Sequence, residues 1–79
     1  MNVSQYAAGD FIKAVFADEK SGESEWMWVK VHRADDALRV VFGELDNEPI
    51  VLTDLCLGME LAVSYDNIRE HLKPTSFNQ

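Results

Sequence analysis

The stretch Glu25-Trp26-Met27-Trp28-Val29-Lys30-Val31 decides how this chain folds. Met27, Val29 and Val31 alternate with Trp26, Trp28, Lys30 and His32, and a period of two sends successive side chains to opposite faces of a β-strand. The pattern predicts a strand over Glu25–Arg33 with Met27, Val29 and Val31 turned to the core. The opposite face holds both tryptophans of the chain. What covers that face is the question on which function turns.

Working outward, Asp10–Ala17 (DFIKAVFA) is rich in aromatic and β-branched residues and reads as the first strand. The polar segment Asp18–Ser24 joins it to the central strand as a hairpin with a longer loop. Ala34–Ala37 is a tight connection to a third strand, Leu38–Leu45, with Leu38, Val40 and Phe42 on one face. Gly43 inside that strand marks a bulge or sharp bend. Asp46-Asn47-Glu48-Pro49 is a turn, followed by a short fourth strand at Ile50–Thr53. Leu55–Glu60 leads into a last strand, Glu60–Ser64, with Leu61 and Val63 inward. Ile68 and Leu72, four residues apart, predict one or two helical turns within Tyr65–Leu72, stopped by Pro74.

The expected fold is therefore mainly β: a five-stranded antiparallel SH3-like barrel or bent sheet with a short C-terminal helical turn. At 79 residues the chain is expected to form one domain. Two readings stand for residues 1–9, a helical turn capped by Ser4 and stopped by Gly9, or a mobile arm. Residues 73–79 read as a frayed tail.

Composition narrows the function classes. Seven basic against fourteen acidic residues leave a formal charge of -7. That argues against direct nucleic-acid binding, whose affinity comes from Lys and Arg neutralising phosphates, and against an anionic membrane surface. It suits a basic protein partner, or serves solubility alone. The lone Cys56 permits no intrachain disulfide, and between Leu55 and Leu57 it reads as a reduced, packed thiol. Residues 1–10 lack the pattern of a signal peptide, and no apolar run has the length of a membrane helix. A cytoplasmic location is the expectation.

Trp26-Met27-Trp28-Val29-Lys30-Val31, then Gly43-Glu44-Leu45-Asp46-Asn47-Glu48-Pro49, then Leu57-Gly58-Met59 opening an alternating strand, resemble in order and spacing the YegJ-like proteins, a small bacterial family. The resemblance covers roughly residues 9–70. Met59 departs from the acidic residue that often follows the glycine there. The resemblance implies no activity; relatives near toxin–immunity systems suggest protein binding.

No sequence motif assembles a catalytic centre. His32 and His71 are far apart, no nucleophile motif surrounds a serine, and Cys56 has no cationic neighbour. Asp46, Asn47 and Glu48, with Asp35 or Asp36, offer oxygen ligands but no calcium-loop spacing. No enzyme activity, cofactor or metal is expected. The candidate partner-binding residues are Trp26 and Trp28, since tryptophans anchor interfaces, together with the loop carboxylates Asp35, Asp36, Glu44, Asp46 and Glu48. The leading expectation is a non-enzymatic acidic protein-binding module, an immunity-type or inhibitor protein acting on a basic target, with a homodimer also open. The alternatives are a nucleic-acid mimic that occupies a DNA- or RNA-binding enzyme, and a small-ligand-binding β-barrel with a tryptophan-lined pocket.

Overall fold

The alternation around Met27 makes the second strand the spine of one antiparallel sheet. The computed structural model describes residues 5–74, with β1 at Phe11–Ala17, β2 at Ser24–Asp35, β3 at Val40–Leu45, β4 at Glu60–Ser64 and β5 at Ile68–Leu72. A single 3-10 turn, Tyr65–Asn67, separates β4 from β5, and the Ser64 hydroxyl caps it by accepting from the Asp66 amide. Strand order is β4-β3-β2-β1-β5, so four strands form a meander and the fifth returns beside the first.

The sheet is open. It does not close into a barrel, because β4 and β5 lie at opposite edges. Met27, Val29 and Val31 are fully buried on one face with Ile12, Ala14, Val41, Leu45 and Val63. Among the described residues, no second sheet lies over them. Tyr6, Leu52 and Leu55, from irregular segments, close this side instead.

Several expectations need correction. Ile50–Thr53 is not a strand but a bend and turn, with Ile50 83% exposed. The amides of Ile50, Val51 and Leu52 all donate to the Glu25 carboxylate, at 2.9 to 3.2 Å, so none of them is left to pair with a strand. Of the one or two helical turns expected within Tyr65–Leu72, one 3-10 turn forms at Tyr65–Asn67, and Ile68–Leu72 is a strand. The four-residue spacing misled because a register shift opposite Lys13/Ala14 resets the alternation: Ile68 and His71 turn inward while Leu72 stays exposed. Cys56 is exposed rather than packed.

In β3, Val40 and Phe42 do share a face, but the core side is Val41, Gly43 and Leu45, and Leu38 is exposed in the preceding turn. The bulge expected near Gly43 lies on the partner strand, where β2 shifts register between Val31 and Arg33. Gln5–Gly9 forms a bend and a turn; Ser4 and residues 75–79 lie outside the described residues. No helix among the described residues is long and apolar enough to cross a membrane.

Candidate partner-binding face

Because β-strands alternate, burying Met27, Val29 and Val31 forces Trp26 and Trp28 to the other side of the sheet. Cross-strand register sets their neighbours. Lys13 stands opposite Trp28 and Val15 opposite Trp26 on β1. The Lys13 ammonium sits 5.8 Å from both indole rings and 3.9 Å from Glu70 on β5. Such a cation over two rings holds them in place and leaves their outer surfaces accessible. Arg33 packs over Phe42 on the same face, 4.1 Å from the ring centre.

β5 does not cover the tryptophans. It extends the sheet sideways past β1. Ile68 joins the core on the far side. Trp26 remains 51% exposed and Leu72 54% exposed, while Trp28 is half-buried. Among the described residues, no element lies over this face.

The structure brings some of the candidate acids to the tryptophans and separates others. Glu44 lies across from Lys30, and its carboxylate accepts from His32 Nε2 at 2.9 Å. Asp46 continues the ladder opposite Trp28, its amide bonded to the Trp28 carbonyl at 2.8 Å. The Asn47 side chain accepts from the Trp28 amide, and exposed Glu48 follows. Trp26, Trp28, Glu44, Asp46 and Glu48 thus occupy one half of the molecule. Asp35 and Asp36 sit at the opposite end of β3. Asp35 shapes its turn by accepting from the Leu38 amide, and Asp36 accepts from the Tyr65 hydroxyl.

Two polar features were not legible in the sequence. The first is Glu25, whose carboxylate binds three successive amides of the β3–β4 connection. Those amides hold its pKa below the ordinary value, against a smaller opposing effect of burial. Successive amides aimed at one point form an anion-binding nest, filled here by the chain's own carboxylate. E25Q removes the charge, and faster amide exchange at Ile50–Leu52 with β2 unchanged is the expected outcome. Unaltered exchange there would show that the connection is held by Leu52 and Leu55 alone.

The second is Asp10, 1% exposed. It accepts from His71 Nε2 at 2.7 Å, from Lys73 Nζ at 2.9 Å and from the Ala7 amide at 3.0 Å. Tyr6 stacks between His71 and Tyr65, with ring centres 4.7 and 4.9 Å away. This cluster fastens the segment before β1 to β5. It was hidden because its members lie at both ends of the chain.

The connection between β3 and β4 also forms one wall of a cleft of about 480 Å³ lined by Phe16, Leu52, Leu55, Asp18, Glu23 and Asp54. A smaller hollow of about 340 Å³ lies beside Pro49 and Cys56. Neither includes a tryptophan. Among the described residues, no three His, Cys, Asp or Glu side chains are placed to hold a metal ion.

A model for a family described as an uncharacterized protein conserved in bacteria, DUF2314, matches residues 2–76. The chain belongs to the DUF2314 family. Searches of curated proteins and of solved structures each returned no match. In this DUF2314 protein the matched residues span all five strands, so the family model covers the open face and the loops that rim it.

Proposed function

We propose that this DUF2314 protein is a non-enzymatic binding module of the cytoplasm, of immunity or inhibitor type, that docks a basic protein on the open face of its sheet. One observation carries the proposal: among the described residues Trp26 lies exposed and Trp28 half-buried on the open face, in register with Glu44 and Asp46. A one-layer sheet gains nothing from two tryptophans on its solvent side unless something covers them, and large aromatic side chains are the commonest interface anchors. Carboxylates at the rim steer a basic surface toward them and set the salt dependence of association. Within the family we group the chain with the YegJ-like proteins, on the Trp26–Val31 and Gly43–Pro49 motifs. A phosphate-mimicking role is less well supported, since the carboxylates are divided between the two ends of β3 and several bind the chain's own amides and hydroxyls.

The test is affinity capture from the native host with wild-type and W26A baits in parallel, followed by titration of any captured partner as purified protein. W26A is expected to weaken binding at least about thirtyfold, about 2 kcal/mol or more for a central aromatic anchor. E44K with D46K is expected to weaken it further, and added salt to weaken the wild type. Binding indifferent to all three, or the absence of any partner specific to the wild-type bait, would sink the proposal.

A further inference from the structure

The two edges of the sheet differ in how they are protected. β5 (IREHL) carries Arg69 and Glu70 and pairs with β1 through an irregular register, both devices that discourage further strand pairing. β4 (ELAVS) carries a single charge, Glu60 at its first position, has no lysine, proline or bulge, and its register with β3 is regular from Val40↔Ser64 to Glu44↔Glu60. Which backbone groups it leaves open follows from the ladder. Leu45 donates to the Met59 carbonyl and Tyr65 donates to the Arg39 carbonyl. Bonded pairs alternate in an antiparallel ladder, so Leu61 and Val63 face β3, while among the described residues Glu60 and Ala62 direct their N–H and C=O groups, and Ser64 its N–H, to the free edge; the Ser64 carbonyl, as the cap of the 3-10 turn, accepts within that turn.

We propose that this edge joins two copies of the chain, β4 pairing antiparallel with its twin across a two-fold axis at Ala62. The sequence is complementary to itself in that register. Glu60 meets Ser64 of the second copy, Leu61 meets Val63, and Ala62 meets Ala62, so no like charges are opposed. The three pairs supply about four backbone hydrogen bonds, two at Ala62 and one from each Ser64 amide to the Glu60 carbonyl of the other copy. Leu61, half-buried at the border of the core, gains apolar cover. Opposed residues of a ladder point to the same side, so both open faces look the same way. The two β2 strands then lie five strand spacings apart, roughly 24 Å at ~4.8 Å per strand. The dimer is a platform with two tryptophan pairs, and a partner that engages both gains by linkage. The pairing itself does not depend on the docking proposal.

Sedimentation velocity of the full chain across the micromolar range tests it, with A62P and A62K as variants. Proline removes one outward N–H without breaking the β3 ladder; lysine sets like charges against each other across the axis. Far-ultraviolet circular dichroism checks that each variant folds, and A62K decides alone if A62P does not. The expected result is a wild-type mass that doubles with concentration, more readily at high salt because each copy carries -7. Association should weaken at least tenfold in every folded variant and be unchanged in W26A. A wild type that stays monomeric overturns the proposal, as does a dimer that persists in A62K. A dimer lost in W26A would also overturn it, placing the contact on the open face instead.

Discussion

Replacing Gly43 by alanine is expected to cost about 2–3 kcal/mol of stability, the upper part of the range for forcing extra atoms into a packed interior. A Cβ built at Gly43 falls 2.2 Å from the Lys30 carbonyl oxygen, and 3.0 Å from both the Lys30 carbonyl carbon and a Val29 methyl. The obstacle is backbone in the centre of the sheet, so β3 must move away from β2 next to the register shift at Val31/Arg33. An opposing effect exists, since alanine restricts the unfolded chain and contributes about 0.4–1 kcal/mol in favour of folding. The clash is larger, so the net sign is destabilising. Urea denaturation measures it as a lower midpoint at unchanged slope. A G43A protein within about 0.5 kcal/mol of wild type, the usual band for a harmless surface change, would mean that the strands separate freely there.

Asp10→Ala is expected to cost about 3 kcal/mol, because a buried carboxylate with charged partners is expensive to remove. The His71 and Ala7 donors lose their acceptor in a partly dry site, whereas Lys73, 60% exposed at its side chain, returns to water with little penalty. The same group sets the acid response. Burial pushes the Asp10 pKa up, but the hydrogen bonds from His71, Lys73 and Ala7 and the Lys73 charge together outweigh it and bring it below the ordinary carboxylate value. A folded-state pKa below the unfolded one gives stability that is complete above the unfolded value, near 4. It is lost as pH falls through the lowered folded value. Unfolding midpoints measured from neutral pH downward should therefore fall in the acid range for wild type and fall less steeply for D10N. Equal slopes would show that the acid response belongs to other carboxylates, Glu25 first among them.

The sheet was legible where one residue decided one contact. The Met27/Val29/Val31 alternation assigned the core face without reference to the rest of the chain, and it held because each of those side chains is fully buried. Sequence reading failed where distant residues compete for the same backbone. Ile50–Leu52 has a strand's composition, yet its amides are taken by Glu25, 25 to 27 positions earlier. Ile68 and Leu72 have a helix's spacing, yet β1 offers a free edge, and pairing with it satisfies a strand's backbone that one helical turn would leave open. On the binding face, the two tryptophans and their exposure to one side follow from alternation. Their neighbours Asp46 and Glu44 follow only from the register of β3, which no local pattern reveals.

The return of β5 to β1 also sets an order of assembly. β1 and β2 meet across one short hairpin loop, but Ala14 and Ile68 meet only after the whole meander intervenes. The intervening chain is roughly nine times longer, so closing it costs about 2 kcal/mol more in chain entropy, by the logarithmic growth of loop-closure cost. Contacts that span so much sequence are also the slow ones to form. β5 is thus expected to join last on folding and to leave first on warming, which amide exchange along β5 would show as the lowest protection of the five strands. The Asp10, His71 and Lys73 cluster is the latch that closes behind it.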